Sequence, residues 1–237
     1  MKNRSKIIIS VVVFLAVCGI VAGFSMKYFN NDSKTVKVYT DDNSTENLNM
    51  VSDKLLKFIS RNTLYSLDSY NDINYAAIDY YCIKLKECQE VKKSEVEEFT
   101  KRVFNKVVEP KTLKCLYYDE PLYIYKDRIF RFNEKHVEHD GLNLTPIYTK
   151  VDDIKKEGNN YVLTVNKLYF NPAQNDYVTD SPMGTVKVLD YNDDVEEIIQ
   201  KYNDNYSEYR NIGIKYQYVF APKGKTFYLV DYERIGN

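Results

Sequence analysis

The chain has 237 residues, 44% hydrophobic and 28% charged, with 8 glycines and 6 prolines, which allows one membrane anchor and one mid-sized globular domain and excludes a collagen-like or linker-dominated chain. Its 33 basic and 34 acidic side chains nearly cancel, to a formal charge of -1, which excludes a strongly basic nucleic-acid binder and an acidic tail. The 23 tyrosines without a tryptophan, beside abundant lysine and asparagine and scarce alanine, reflect AT-rich codons of the kind a low-GC bacterial genome uses, so the tyrosine excess is not by itself a binding signature.

Residues 1–6 read as a cytoplasmic tip carrying Lys2, Arg4 and Lys6 and no acid. Residues 7–24 are apolar, about 18 residues and close to the lower limit for a membrane-spanning helix. The positive-inside rule puts the N-terminus in the cytoplasm and the rest of the chain outside. Three fates are open to this segment: an uncleaved anchor, a signal peptide cut after Val21-Ala22-Gly23, or lipidation at Cys18. The lipidation box Leu15-Ala16-Val17-Cys18 has valine where a small residue is required and stays apolar beyond the cysteine, so the anchor is the reading taken. Residues 25–44 form a polar, turn-rich tether, and residues 45–237 form an extracytoplasmic domain.

The domain begins with helices. Leu48, Val51, Leu55, Phe58, Ile59 and Leu67 recur at helical spacing over residues 45–68, with slippage near Asn62. Asp72 caps a second helix running to about residue 89, with Ile78, Tyr81, Cys82, Leu85 and Cys88 on one face. A third starts at Ser94-Glu95-Val96-Glu97 as a capping box and continues through Phe99, Val103 and Val107 until Pro110. Strands follow. Residues 122–125 and 128–132 flank a tight turn, 147–156 and 161–170 flank Gly158-Asn159-Asn160, and 185–190 is a short strand. Residues 193–206 are helical, and 215–220 with 226–235 close a last hairpin across Pro222-Lys223-Gly224.

Helices grouped ahead of antiparallel hairpins predict an α+β fold in which an N-terminal transmembrane helix is followed by helices packed on one face of a curved antiparallel sheet. With its helical region 45–107 and hairpins 122–132, 147–170 and 215–235, the chain resembles the NTF2-like, or cystatin-like, superfamily. The helix at 193–206, lying between strands, departs from the simplest form of that family. The resemblance is architectural. It implies a concave pocket enclosed by the sheet, and it looks like membrane-anchored envelope proteins and the assembly subunits of conjugation machines.

Candidate chemistry is sparse. The two histidines lie together in His136-Val137-Glu138-His139-Asp140, and His136, Glu138 and His139 are the candidate metal ligands. Their spacing matches neither metalloprotease helix pattern, and Asp140-Gly141 reads as a turn, so a polar loop is favoured and no metal or other cofactor is expected. Asp190-Tyr191-Asn192-Asp193-Asp194 lacks the glycine and glutamate of a calcium loop, and Asp193, Asp194, Glu196 and Glu197 read instead as an acidic first helical turn. Cys82 and Cys88 lie about 9 Å apart along one helix and cannot bridge each other there, although either can reach Cys115; buried thiols are the alternative. Asp152-Asp153 falls mid-strand and reads as charge guarding a sheet edge. Tyr80-Tyr81, Tyr117-Tyr118, Tyr123 and Tyr125 are either core and sheet residues or a contact surface. No serine elbow, phosphate loop or Ser-x-x-Lys motif occurs, so catalytic residues are not assigned.

Two readings follow. The first is a membrane-anchored, non-enzymatic binding or assembly module of the cell envelope, engaging an envelope protein or cell-wall component, the membrane itself through residues 7–24, and no nucleic acid. The second is a small-ligand-binding or hydrolytic extracytoplasmic domain using the concave pocket.

Overall fold

The computed structural model describes residues 45–85, 90–114, 121–133, 146–170, 177–181, 187–190 and 194–236. Helix α1 (Thr45–Arg61) buries Leu48, Val51, Leu55 and Ile59, spaced three or four apart, and leaves Asp53, Lys54 and Lys57 in water. The slippage at Asn62 is where this helix stops. The backbone N–H and side-chain amide of Asn62 both donate to Phe58 O, at 3.2 and 2.8 Å, and Thr63 adopts a left-handed φ of 53°. A 3-10 turn (Leu64–Ser66) and the short helix α2 (Leu67–Tyr70) lead to a second left-handed residue, Asn71, at φ 46°. The single predicted helix over 45–68 is therefore broken into three pieces.

Asp72 takes the expected capping role, its Oδ1 accepting from Asn74 N at 2.8 Å, at the start of α3 (Ile73–Leu85). After strand β1 (Glu90–Lys92), helix α4 (Lys93–Val103) has Lys92 rather than Ser94 at its N-cap, two residues earlier than predicted. The Glu95 carboxylate, not Glu97, accepts from Lys92 N at 2.7 Å. Helix α4 buries Val96, Phe99 and Val103 and ends well short of Pro110, with Asn105 left-handed at φ 53°. The strand at 90–92 falls between the second and third predicted helices, where three residues carry too little alternation to register.

The strands form two antiparallel sheets among the described residues. The smaller has the order β1–β4–β3–β2, with β2 (Leu113–Lys114), β3 (Pro121–Lys126) and β4 (Ile129–Phe132). Its hairpin turns at Asp127 and Arg128, both with positive φ, which suits the right-handed twist of the flanking strands. The larger contains β5 (Tyr148–Glu157), β6 (Asn160–Phe170), β7 (Tyr177–Thr179), β8 (Lys187–Asp190), β9 (Lys215–Lys223) and β10 (Thr226–Ile235). Its order is β10–β9–β6–β7–β8, with β5 paired to β6. Helices α5 (Val195–Asp204) and α6 (Tyr206–Tyr209) lie between β8 and β9 in the chain.

Two apolar clusters result. The main core joins Leu55, Ile78, Phe99 and Phe130 to Leu163, Val165, Tyr216, Tyr218 and Phe220 of the larger sheet. A second cluster gathers Leu168, Val178, Leu189, Ile198 and Tyr202. Each fully buried large aliphatic side chain contributes about 1.5–3 kcal/mol.

The α+β class with antiparallel sheets stands, but the expected fold is corrected in two respects. One curved sheet is replaced by two, because β3 and β4 pair with β1 and β2 rather than extending the β5–β6 hairpin. Val91 opposite Phe130 fixes that pairing, with both side chains in the core. The expected transmembrane helix is also not found: among the described residues no helix is long and apolar enough to cross a membrane. The longest, α1, has 17 residues and is amphipathic, and residues 7–24 lie outside the described residues.

Candidate functional site

Strand β6 is buried on both faces, and this organises the polar chemistry of the domain. Leu163, Val165, Lys167 and Tyr169 alternate toward the main core, while Val162, Thr164, Asn166 and Leu168 alternate the other way. A lysine on the inner face needs a partner, because an isolated buried charge is prohibitively costly. Asp68, the second residue of α2, supplies it. Lys167 Nζ donates to Asp68 Oδ2 at 2.5 Å, with side chains 1% and 0% exposed.

Three tyrosines complete this inner network. Tyr169 Oη donates to Asp68 Oδ2, while Tyr218 and Tyr232 donate to Oδ1 at 3.2 and 2.7 Å. The lysine also donates to Tyr218 Oη, and its ammonium lies 4.5 and 4.8 Å from the ring centroids of Tyr216 and Tyr218. Asp68 thus accepts four hydrogen bonds, and the ammonium is enclosed by a carboxylate, a hydroxyl and aromatic faces. Burial pulls Lys167 below its usual lysine value, opposed by the charge and hydrogen bond of Asp68. Burial first and the Asp68 charge second push Tyr169, Tyr218 and Tyr232 well above the phenol range. The tyrosines remain protonated donors, and the network ties α2 to β6, β9 and β10.

A second constellation lies on the outer face. The β5–β6 register shifts between Val151, opposite Val165, and Asp153, opposite Thr164. This bulge brings Asp152 and Asp153 to the same side, which strict alternation forbids. The Asp152 side chain, 6% exposed, accepts at Oδ1 from Tyr206 Oη at 3.0 Å and at Oδ2 from Lys215 Nζ at 2.8 Å, and its Oδ1 forms an ion pair with Arg210 Nη2 at 3.0 Å. Asn166 Nδ2 donates to Tyr206 Oη at 2.5 Å. Lys150 Nζ donates to Asn203 Oδ1 at 2.7 Å and lies 3.9 Å from the Tyr206 ring centroid. Tyr148 Oη reaches the same Asn203 oxygen at 3.2 Å. Burial lowers Lys150 from its usual value and raises Tyr206, with the Asp152 charge acting in the same direction on Tyr206. A tyrosine so raised stays protonated, and Tyr206 donates its hydroxyl to Asp152.

Asp180, just after β7, is a third buried carboxyl. Its Oδ2 accepts from Ile214 N at 2.7 Å, its carbonyl accepts from Tyr216 Oη at 3.1 Å, and its Oδ1 has no hydrogen-bond partner among the described residues. Burial raises its pKa above the usual carboxylate value. Elsewhere, a shallow depression of about 270 Å³ is lined by Lys92, Lys93, Ser94, Asp127, Arg128 and Ile129, at the start of α4 and the β3–β4 turn.

The candidate ligands His136, Glu138 and His139 lie outside the described residues, as do Cys18, Cys88, Cys115 and Tyr117-Tyr118. Among the described residues no group of three or more His, Cys, Asp or Glu side chains could hold a metal ion. Cys82 is a buried thiol with Sγ 3.9 Å from Tyr123 Oη. Asp194 caps α5, its Oδ1 accepting from Glu196 N at 2.8 Å and Glu197 N at 3.4 Å. Tyr80 and Tyr81 pack edge to face at 5.2 Å, with Arg102 over Tyr80 at 4.9 Å. Asp152, taken as an edge guard, is instead the hub of the outer cluster. The sequence reading passed over Asp68, Lys167, Lys150, Tyr206, Arg210 and Lys215. Of these only Lys167 carries a local signal, a lysine interrupting the buried run of β6.

No protein-family model, curated protein or solved structure matches the chain.

Proposed function

We propose that residues 45–237 form a non-enzymatic binding or assembly module of the cell envelope, attached to the membrane through residues 7–24 with the domain on the extracytoplasmic side. The attachment rests on the basic tip and the apolar run. The non-enzymatic role rests chiefly on one observation: Asp68, Lys167, Tyr169 and Tyr218 are closed into the core beneath the part-buried Tyr232, with their hydrogen bonds used internally. A substrate cannot reach them without unfolding the contact between α2 and the sheet. The outer cluster around Asp152, in contrast, offers half-exposed donors on a rigid sheet, the arrangement a recognition surface needs.

Protease added outside intact cells, with the outer surface accessible, tests the topology. Digestion beyond residue 30 is expected, and protection of the whole domain refutes it. Photo-crosslinking from exposed positions in the same cells tests the role. A discrete adduct with an envelope component is expected, and the lack of any adduct refutes the binding reading.

A further inference from the structure

We propose that the outer face formed by β5, β6 and β9 binds a phosphate-class oxyanion, held around the Tyr206 hydroxyl by Lys150, Arg210 and Lys215. The inference names the partner chemistry of the binding role above and rests on it.

Charge is the first argument. Asp152 offsets only one of the two cations it bonds, Arg210 and Lys215. Lys150 adds a third cation whose acceptors are neutral, the Asn203 amide oxygen and the Tyr206 ring. Among the described residues no carboxylate pairs with Lys150. Asp153, also on this face, acts electrostatically on Lys155, further along the strand. Among the described residues Asp152 is the one carboxylate ion-paired within this set of three cations, so two positive charges stay unmatched by an ion pair, as many as the one to two negative charges of a phosphate group.

Access and placement are the second and third arguments. The Arg210 side chain is 46% exposed and that of Lys215 is 23% exposed, so each keeps N–H groups facing water while anchored on Asp152. The arginine fork fits phosphate oxygens in pairs. Lys150 and Lys215 pair with Asn166 from opposite sides, so their backbones stand about 10 Å apart, two strand spacings. Two lysine side chains of that separation converge readily on one ion. Cations arriving from three directions suit a tetrahedral oxyanion better than a planar carboxylate, which two of them saturate. Tyr206 supplies a fixed floor, its hydroxyl held between Asn166 and Asp152.

The test uses the full chain in non-ionic detergent micelles, titrated calorimetrically with inorganic phosphate, with glycerol phosphate, and with micelles doped with phosphatidylglycerol. Saturable phosphate binding with a Kd of about 1–10 mM is expected, weakening with added sodium chloride. The double variant Lys150→Met/Arg210→Gln is expected to bind at least about tenfold more weakly, and Lys155→Met to bind as the parent does. Lys150→Met alone, which removes no ion pair, serves where the double variant does not fold and is also expected to weaken binding. Tighter binding to the doped micelles identifies a lipid headgroup as the source, and tighter binding to glycerol phosphate a soluble or polymeric phosphoester; either supports the site. No saturation up to about 50 mM phosphate, or unchanged binding in the Lys150 variants, overturns it. Loss of phosphate binding alongside an envelope adduct in cells sinks the anion site and leaves the binding role standing, whereas loss of both sinks the role as well.

Discussion

Replacing Lys167 by methionine probes the buried network most sharply. Methionine keeps the unbranched stem and approximate volume, so the packing of β6 against Tyr216 and Tyr218 is largely preserved. What disappears is the one cation facing Asp68, a carboxylate with 0% exposure. Breaking a buried pair from one side leaves an uncompensated charge and costs about 3–5 kcal/mol. Here Tyr169, Tyr218 and Tyr232 still donate to the carboxylate, which places the expected loss near about 3 kcal/mol, toward the lower end of that range. A domain of this size has about 5–15 kcal/mol to lose. With a urea dependence near about 2 kcal/mol per molar, the midpoint falls by about 1.5 M. The chain lacks tryptophan, so far-UV circular dichroism or tyrosine emission follows the transition. Adding Asp68→Asn to Lys167→Met removes the stranded charge and is expected to restore about 1–2 kcal/mol, a non-additivity typical of contacting groups. A Lys167→Met midpoint within about 0.3 M of the parent, or strict additivity in the double variant, would refute the account of this network.

Other outcomes follow from single contacts. Asp79 in α3 is raised from 3.8 to about 7 by burial, which outweighs the opposing effect of its side-chain hydrogen bond with Ser66. The folded state then holds a proton that the unfolded state releases above pH 3.8, so stability falls as pH rises from about 4 to about 7, by at most about 1.4 kcal/mol per unit. Asp79→Asn is expected to remove that slope, and an unchanged profile of Tm against pH across this window would contradict the assignment. Gly213 has φ +84°, and a Cβ there would meet Asp180 Oδ2 at 2.0 Å. Gly213→Ala should therefore cost more than about 1 kcal/mol and lower the Tm by at least about 2–4 °C; a Tm equal to the parent would show that Asp180 does not need this approach. Asp194→Ala should cost about 1 kcal/mol through the lost cap, read as faster amide exchange at Glu196 and Glu197, with unchanged exchange there as the contrary result.

The elements of this fold were more legible in sequence than their partners. Hydrophobic spacing located α1, α3, α4 and α5 and the three hairpins, because each is specified by its own residues. The break at Thr63 showed only as slippage near Asn62, since left-handed residues of ordinary type leave no mark on periodicity, whereas Asn71 falls in the gap between the first two predicted helices. Strand β1 and the division into two sheets depend on Val91 finding Phe130, a pairing that neither segment announces alone. The site was less visible still. Asp152 looked like an edge charge because alternation assigns one member of an Asp-Asp pair to each face, and only the bulge at Val151–Asp153 overrides that. Tyr206, Arg210 and Lys215 are remote from Asp152 in sequence and meet it through α6 and β9. Lys167 was the exception, a charge within a run apolar on both faces, whose partner Asp68 lies 99 residues away.

The central claim is that this domain acts by binding an envelope component from its exposed surface. A photo-crosslinking residue placed at Glu208, beside the Lys150–Arg210–Lys215 face, and at Ile124, on the smaller sheet, tests it in intact cells. The account expects a discrete, saturable adduct from Glu208 that is lost when Lys150→Met and Arg210→Gln are added. Recovery of the uncrosslinked chain alone, from both positions, would contradict it.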